Sequence, residues 1–203
     1  MPPEGKAPLL IEDLKRIVRI LPGNLAGLRN KAILLLGSAG GYRRSEIVGL
    51  NVEDLDFRAN GLIITLRRSK TDQEGKGYKK GIPYGKQVRT CPVRALKAWL
   101  EQAHIHSGPV FRPIDRFGRV SEKRLSSRSV ANIVKKGAKL AGLNPDIYSG
   151  HSLRAGFATQ AAINKASDLS IMRQGGWRSF ETVQRYIRDG NLFRDNAADY
   201  LGL

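Results

Sequence analysis

The chain has a single cysteine, Cys91, so no intrachain disulfide can form, and a reducing cytosol is the expected setting. It has no apolar run near the roughly 18 residues that span a bilayer. The longest, Ala32-Ile33-Leu34-Leu35-Leu36, stops at Gly37-Ser38 and reads as part of a core helix. Met1 to Pro8 lack the apolar stretch of a signal peptide. No Walker-type glycine loop is present, which argues against a nucleotide triphosphate site. No dense carboxylate cluster suggests a two-metal nuclease, and no Cys/His spacing suits zinc. If this chain breaks a phosphodiester, the expectation is that it does so without metal, ATP or any other cofactor.

Acidic residues are scarce. Eighteen Asp and Glu face thirty-five Lys and Arg, a formal charge of +17 with an isoelectric point near 10.4. Such a field attracts polyanions, and nucleic acid is the partner it favours over a membrane surface. The excess is clustered. Arg67, Arg68, Lys70, Lys76, Lys79, Lys80, Lys86, Arg89, Arg94 and Lys97 are opposed in that stretch only by Asp72 and Glu74. A second group is Arg119, Lys123, Arg124, Arg128, Lys135, Lys136 and Lys139. Two such patches suit a protein that holds a duplex from more than one side.

What is present is an ordinary globular composition, 41% hydrophobic and 26% charged, long enough for one substantial core. Residues 1–8 read as a tail or linker remnant. Apolar residues at 10, 11, 14, 17, 18 and 21 have helical spacing, ended by Pro22-Gly23-Asn24. A second, buried helix is expected from about Leu28 to Ala39, and a short one from Arg44 to Val48 after Gly40-Gly41. The period then changes. Strands are expected at Val52–Phe57, at Leu62–Leu66 and around Gly81–Tyr84, with Pro83 favouring an edge. Helices follow at Pro92–Ala103, Ser127–Ala141, Leu153–Asn164, Asp168–Arg173, Ser179–Tyr186 and Phe193–Leu201. The fold class is mainly α with a small three-stranded antiparallel sheet, an α+β domain over residues 9–190.

Four short stretches carry the chemistry. Gly41-Tyr42-Arg43-Arg44-Ser45-Glu46 sits at a helix break. Gly150-His151-Ser152-Leu153-Arg154 sets His151 and Arg154 three apart, on one face of a helix. Gly175-Gly176-Trp177 follows, and Tyr186 stands nine residues beyond Trp177. Taken singly, each residue has an ordinary reading: Tyr186 a packed helix aromatic, His151 a helix cap, Trp177 plain core.

Together, and in this order, they resemble the tyrosine recombinases of the phage-integrase class, in particular Cre-like members in Leu125-Ser126-Ser127-Arg128, Gly175-Gly176-Trp177 and Tyr186-Ile187-Arg188. The resemblance covers residues 8–203. It implies a catalytic set of Arg43, Lys70, His151, Arg154, Trp177 and Tyr186. Arg43 and Arg154 would fork onto the non-bridging phosphate oxygens. Tyr186 would attack through its phenolic oxygen, with His151 as acid/base. Lys70 would protonate the departing 5′ oxygen, although Lys76, Lys79 and Lys80 lie close by. Trp177 would donate to the phosphate, and Glu46 would orient the site from behind it. Arg68, Arg128, Lys135, Lys136 and Lys139 would contact DNA, Arg128 reading guanine from a helix in the major groove. Tyr42 stands where the family carries Leu or Met, a change expected to matter little.

The resemblance further implies double-stranded DNA as partner and a bacterial or phage-encoded protein of the cytoplasm. It implies a monomer in free solution and a homotetramer on DNA, with residues 191–203 forming a helix that docks on a neighbouring subunit. The family's usual N-terminal DNA-binding domain has no counterpart in these 203 residues. Two other readings stay open: a type IB topoisomerase-like relaxing activity, and a DNA-binding module without catalysis.

Overall fold

The computed structural model describes residues 6–67, 77–193 and 196–201. Eight α-helices and three strands lie among them. α1 (Ile11–Ile20) buries Leu14, Ile17 and Val18, the inward side of its apolar stripe. α2 (Leu25–Gly40) is the central helix, buried along most of its length. It starts three residues earlier than its apolar pattern suggests, because the Asn24 side chain accepts from Gly27 N and caps it. It ends at Gly41, whose φ of 56° is the left-handed conformation that glycine adopts at low cost. A Cβ there would also meet the Phe157 ring at 2.7 Å.

α3 (Arg44–Gly49) follows at once. The expected strand from Val52 begins instead as a short 3-10 turn, Val52–Asp54. Asn51 N donates to Asp54 Oδ2, and this closed turn claims backbone that a strand would need. Strand β1 (Leu55–Arg58) then pairs antiparallel with β2 (Gly61–Leu66), and β2 with β3 (Tyr78–Pro83), in the order β1-β2-β3. Pro83 lies at the end of an edge strand, and β3 is longer than the sequence suggests. Its faces alternate: Lys80 and Ile82 point inward, while Lys79, Gly81 and Pro83 are exposed.

α4 (Pro92–Gln102) packs along α2 and buries Trp99, whose indole nitrogen donates to Val110 O at 2.9 Å. α5 (Ser127–Leu140) crosses α1 so closely that a Cβ on Gly137 would lie 2.6 Å from Ile17. α6 (Ser152–Ile163) separates two apolar clusters. The larger takes in α1 to α5 and reaches Leu153; the smaller joins Ala155, Ala158 and Ala162 to Ile171, Val183, Tyr186 and Ile187. That smaller cluster holds α7 (Asp168–Gly175) and α8 (Glu181–Gly190) against α6. Where a terminal helix is expected, the described residues form a turn at 191–193 and one 3-10 turn, Ala197–Tyr200. A helix so short has little intrinsic stability of its own.

Candidate active site

The end of α2 builds the first part of the site. Gly41 turns the chain, Tyr42 is fully buried, and Arg43 becomes the N-cap of α3. Glu46, one turn further on, accepts from Arg43 N at 2.9 Å through Oε2 and from Arg43 Nη1 at 2.7 Å through Oε1. The Glu46 carboxylate is almost wholly buried, while Arg43 remains partly open. Glu46 therefore fixes both the backbone and the guanidinium of Arg43.

α6 supplies the second part. Arg154 is 3% exposed, and its Nη1 donates to Gly41 O and to Gly175 O, each at 2.5 Å. It thus ties the end of α2 to the end of α7. Its Nη2 is buried and has no hydrogen-bond partner among the described residues. Burial pushes Arg154 down to about 10, and the neighbouring Arg43 charge adds to the shift. The group stays cationic at neutral pH. Arg154, Arg43, Arg44, Ser45, Tyr42, Ser149, Gly150 and His151 line an open cleft of about 440 Å³.

His151 is the N-cap of α6 and brings the third part to this cleft. Its Nε2 lies 2.6 Å from the Tyr186 hydroxyl. Partial burial lowers the His151 pKa below its ordinary value, and the positive charges of Arg154, Arg185 and Arg43 lower it further. The ring is therefore neutral at pH 7. Tyr186, on α8, is 7% exposed. Arg185 Nη2 donates to the same phenolic oxygen at 2.8 Å, and its guanidinium lies 4.7 Å from the Tyr186 ring centre. Arg185 can only donate, so His151 Nε2, when unprotonated, is the acceptor at hand for the Tyr186 proton.

Trp177 follows Gly176, which caps α7 at φ 71°. The Trp177 ring carries the Arg154 guanidinium 3.7 Å above its centre and stacks on Phe157 at 6.5 Å. It is a shelf under the Arg154 guanidinium. Among the described residues no three His, Cys, Asp or Glu side chains gather as a metal site.

The sequence model of the phage integrase family matches residues 9–191. The chain belongs to the phage integrase family. Among curated proteins, it is 50% identical over 194 residues to an integrase/recombinase XerD homolog of Selenomonas ruminantium, covering 95% of this chain and 57% of that one. It is 35% identical to tyrosine recombinase XerC of Syntrophus aciditrophicus, over 81% of this chain and 50% of that one. The chain thus spans about half the length of these relatives. In fold it is similar to XerA recombinase, with a TM-score of 0.69 at 20% identity over 97% of this chain and 66% of that one. It is equally similar to XerH recombinase bound to its difH substrate, TM-score 0.69 at 18% identity, over 96% of this chain and 52% of that one.

In this phage integrase chain, then, Arg43, Glu46, His151, Arg154, Trp177 and Tyr186 converge from four separate stretches of sequence. Lys70 and Arg68 lie outside the described residues. Of the nearby lysines, Lys79 is exposed and Lys80 is buried. On α5, Arg128, Lys136 and Lys139 are exposed and Lys135 half-buried, and none has an ion pair among the described residues. Arg128, Ala131, Lys135 and Lys139 share one helix face. The backbone of Ala131 lies near Gly150, which lines the cleft, so α5 passes beside the site.

Three residues join the site that the motifs alone do not single out. Arg185 stands beside the nucleophile in sequence, and its position in a helix gives no hint that its long side chain folds back onto Tyr186. Gln174 Nε2 donates to Ala39 O and Gly81 O. Lys80 points inward, a position that the strand alternation of Tyr78, Lys80 and Ile82 does indicate.

Proposed function

We propose that this chain is the catalytic part of a site-specific DNA recombinase, cutting and rejoining DNA through a 3′-phosphotyrosine. The observation that carries this reading is the Tyr186 hydroxyl held between neutral His151 and cationic Arg185, beside a cleft lined by Arg43 and Arg154. The scissile phosphate sits in that cleft. Arg43 and the free Nη2 of Arg154 take its non-bridging oxygens, where charge builds as the phosphorus is attacked. The Tyr186 oxygen forms a bond to phosphorus and its proton passes to His151. The bond to the 5′ oxygen breaks, and that oxygen takes a proton from Lys70. A 5′ hydroxyl of another strand reverses the step, so the energy of the ester is kept and no cofactor is consumed. The names of the relatives, all recombinases, support the same reading.

The partner is double-stranded DNA. Its phosphates meet the basic face of α5, with Arg128 closest to the bases, and Arg68 is a further DNA contact. Four copies assemble on DNA from monomers in solution. Support comes from the C-terminal residues: Leu192, Phe193, Tyr200 and Leu201 are 62%, 94%, 84% and 67% exposed, apolar surface open to a neighbouring copy. They dock on a neighbouring copy. The protein works in the cytoplasm of a bacterium, on chromosomal or phage DNA.

The test is a trapping assay with a pool of nicked duplexes in EDTA. Wild-type protein is expected to form a denaturant-resistant DNA adduct, and Tyr186→Phe to bind DNA without forming one. Relaxation of supercoiled plasmid with no strand exchange would favour a topoisomerase instead. Binding with no adduct from either protein would favour a DNA-binding module.

A further inference from the structure

The last carbonyls of any helix lack intrahelical partners. At the end of α2, five in succession are accounted for, and in an unusual way. Gly37 O accepts from Tyr42 N and Ser38 O from Gly41 N, within the turn. The next three are each taken by a side chain from a different element. Ala39 O accepts from Gln174 Nε2 of α7 at 3.3 Å, Gly40 O from Lys80 Nζ of β3 at 2.7 Å, and Gly41 O from Arg154 Nη1 of α6 at 2.5 Å. Two of the three are cations at the negative end of the helix dipole. Arg43 follows two residues later.

We propose that Lys80 is a positioning residue for the phosphate site: by holding the Gly40 carbonyl it fixes the turn that presents Arg43 and the carbonyl that anchors Arg154. The proposal rests on the recombinase reading given above. Lys80 is 2% exposed, so it does not touch DNA. A buried ammonium is costly, and an aliphatic side chain would fill an inward strand position with no such cost. Its other neighbours are aromatic faces, Tyr42 at 4.3 Å and Tyr78 at 5.5 Å from Nζ. Both tyrosine hydroxyls are buried with no hydrogen-bond partner among the described residues, and the pair faces the ammonium through its rings. Tyr78 also closes against the cap of α7, where a Cβ on Gly176 would lie 2.4 Å from its hydroxyl. Burial pushes Lys80 down to about 7; Glu46 of α3 favours its charged form, and Arg154 and Arg43 oppose it. Lys80 also pins strand β3 to the turn that carries Arg43.

The test compares Lys80→Met and Lys80→Gln with wild type in four measurements: melting temperature, DNA affinity, rate of adduct formation at saturating DNA, and amide exchange over residues 37–46. Lys80→Met should melt no lower than wild type, because it removes a buried charge, and should bind DNA equally well. Its adduct rate should fall about 10- to 100-fold, the size of effect that a small misplacement of a catalytic group produces. Exchange in the turn should quicken, with Lys80→Gln, which keeps a donor, lying between. A purely structural role would instead lower the melting temperature and leave the rate at saturating DNA intact. Unchanged rate with unchanged exchange would overturn the proposal, as would a loss explained wholly by weaker DNA binding. If wild-type protein forms no adduct, the recombinase reading fails by itself, and the exchange measurement still decides whether Lys80 holds the turn.

Discussion

A phenol with a free pKa of about 10 is a poor nucleophile at neutral pH, and in this chain two side chains act on it. In the mechanism proposed above, His151 takes the proton and Arg185 stabilises the oxygen left behind. Arg185→Met is therefore expected to slow adduct formation about 100- to 1,000-fold while leaving the fold intact, the range seen when one donor to a developing oxyanion is removed. His151 must be neutral to accept a proton, and its pKa is lowered by burial and by Arg154, Arg185 and Arg43. The rate should then rise with pH through a midpoint below the free histidine value of about 6.5, and this limb should vanish in His151→Gln. A midpoint at or above that value would contradict the assignment. Lys80 gives a second pH signature. Its folded value of about 7 lies below the ordinary 10.5. Below pH 7 both states carry the proton, and the folded state bears a disfavoured charge. Between the two values the unfolded chain holds the extra proton, so stability climbs as pH rises. The melting-temperature advantage of Lys80→Met over wild type should be largest below pH 7 and shrink towards pH 10.

Elements that carry one clear apolar period could be read from sequence, and those fixed by local polar contacts could not. The stripe at Leu14, Ile17 and Val18 gave α1, and Val130, Ile133 and Val134 gave α5. Asn24 extended α2 backwards, and the Asn51–Asp54 turn displaced the start of β1, because side chains there compete for backbone groups. The same division holds in the site. Arg43, His151, Arg154, Trp177 and Tyr186 stand in motifs whose order is informative. Gln174 and Arg185 act through long side chains, whose direction no local spacing sets. α8 illustrates what this means for stability. It is held to α6 by a small cluster in which Val183 and Ile187 face three alanines. Ile187→Ala should cost about 2–4 kcal/mol. The loss should appear first as faster amide exchange in α8, with little change in α4. Equal acceleration throughout would show that α8 does not open on its own.

At the scale of the molecule, the charge of +17 and the basic face of α5 should make the proposed DNA binding strongly salt-dependent. If six to ten phosphates are contacted, affinity should fall about 10³- to 10⁵-fold between roughly 50 and 200 mM salt. Neutralising Lys136 and Lys139 should flatten that dependence by about one unit of slope per contact, leaving the single-turnover rate at saturating DNA unchanged. The large cluster, with α2 at its centre, serves as a rigid mount. Its far end projects the turn that α6, α7 and β3 all grip, so residues far apart in sequence meet at one cleft. The central claim is that Tyr186 becomes the covalent link. It is tested most directly by digesting the trapped DNA adduct with nuclease and protease and sequencing the modified peptide by mass spectrometry. The account predicts a nucleotide attached through its 3′ phosphate to Tyr186 and to no other residue. A nucleotide on another side chain, or cleaved DNA with no peptide attached, would contradict it.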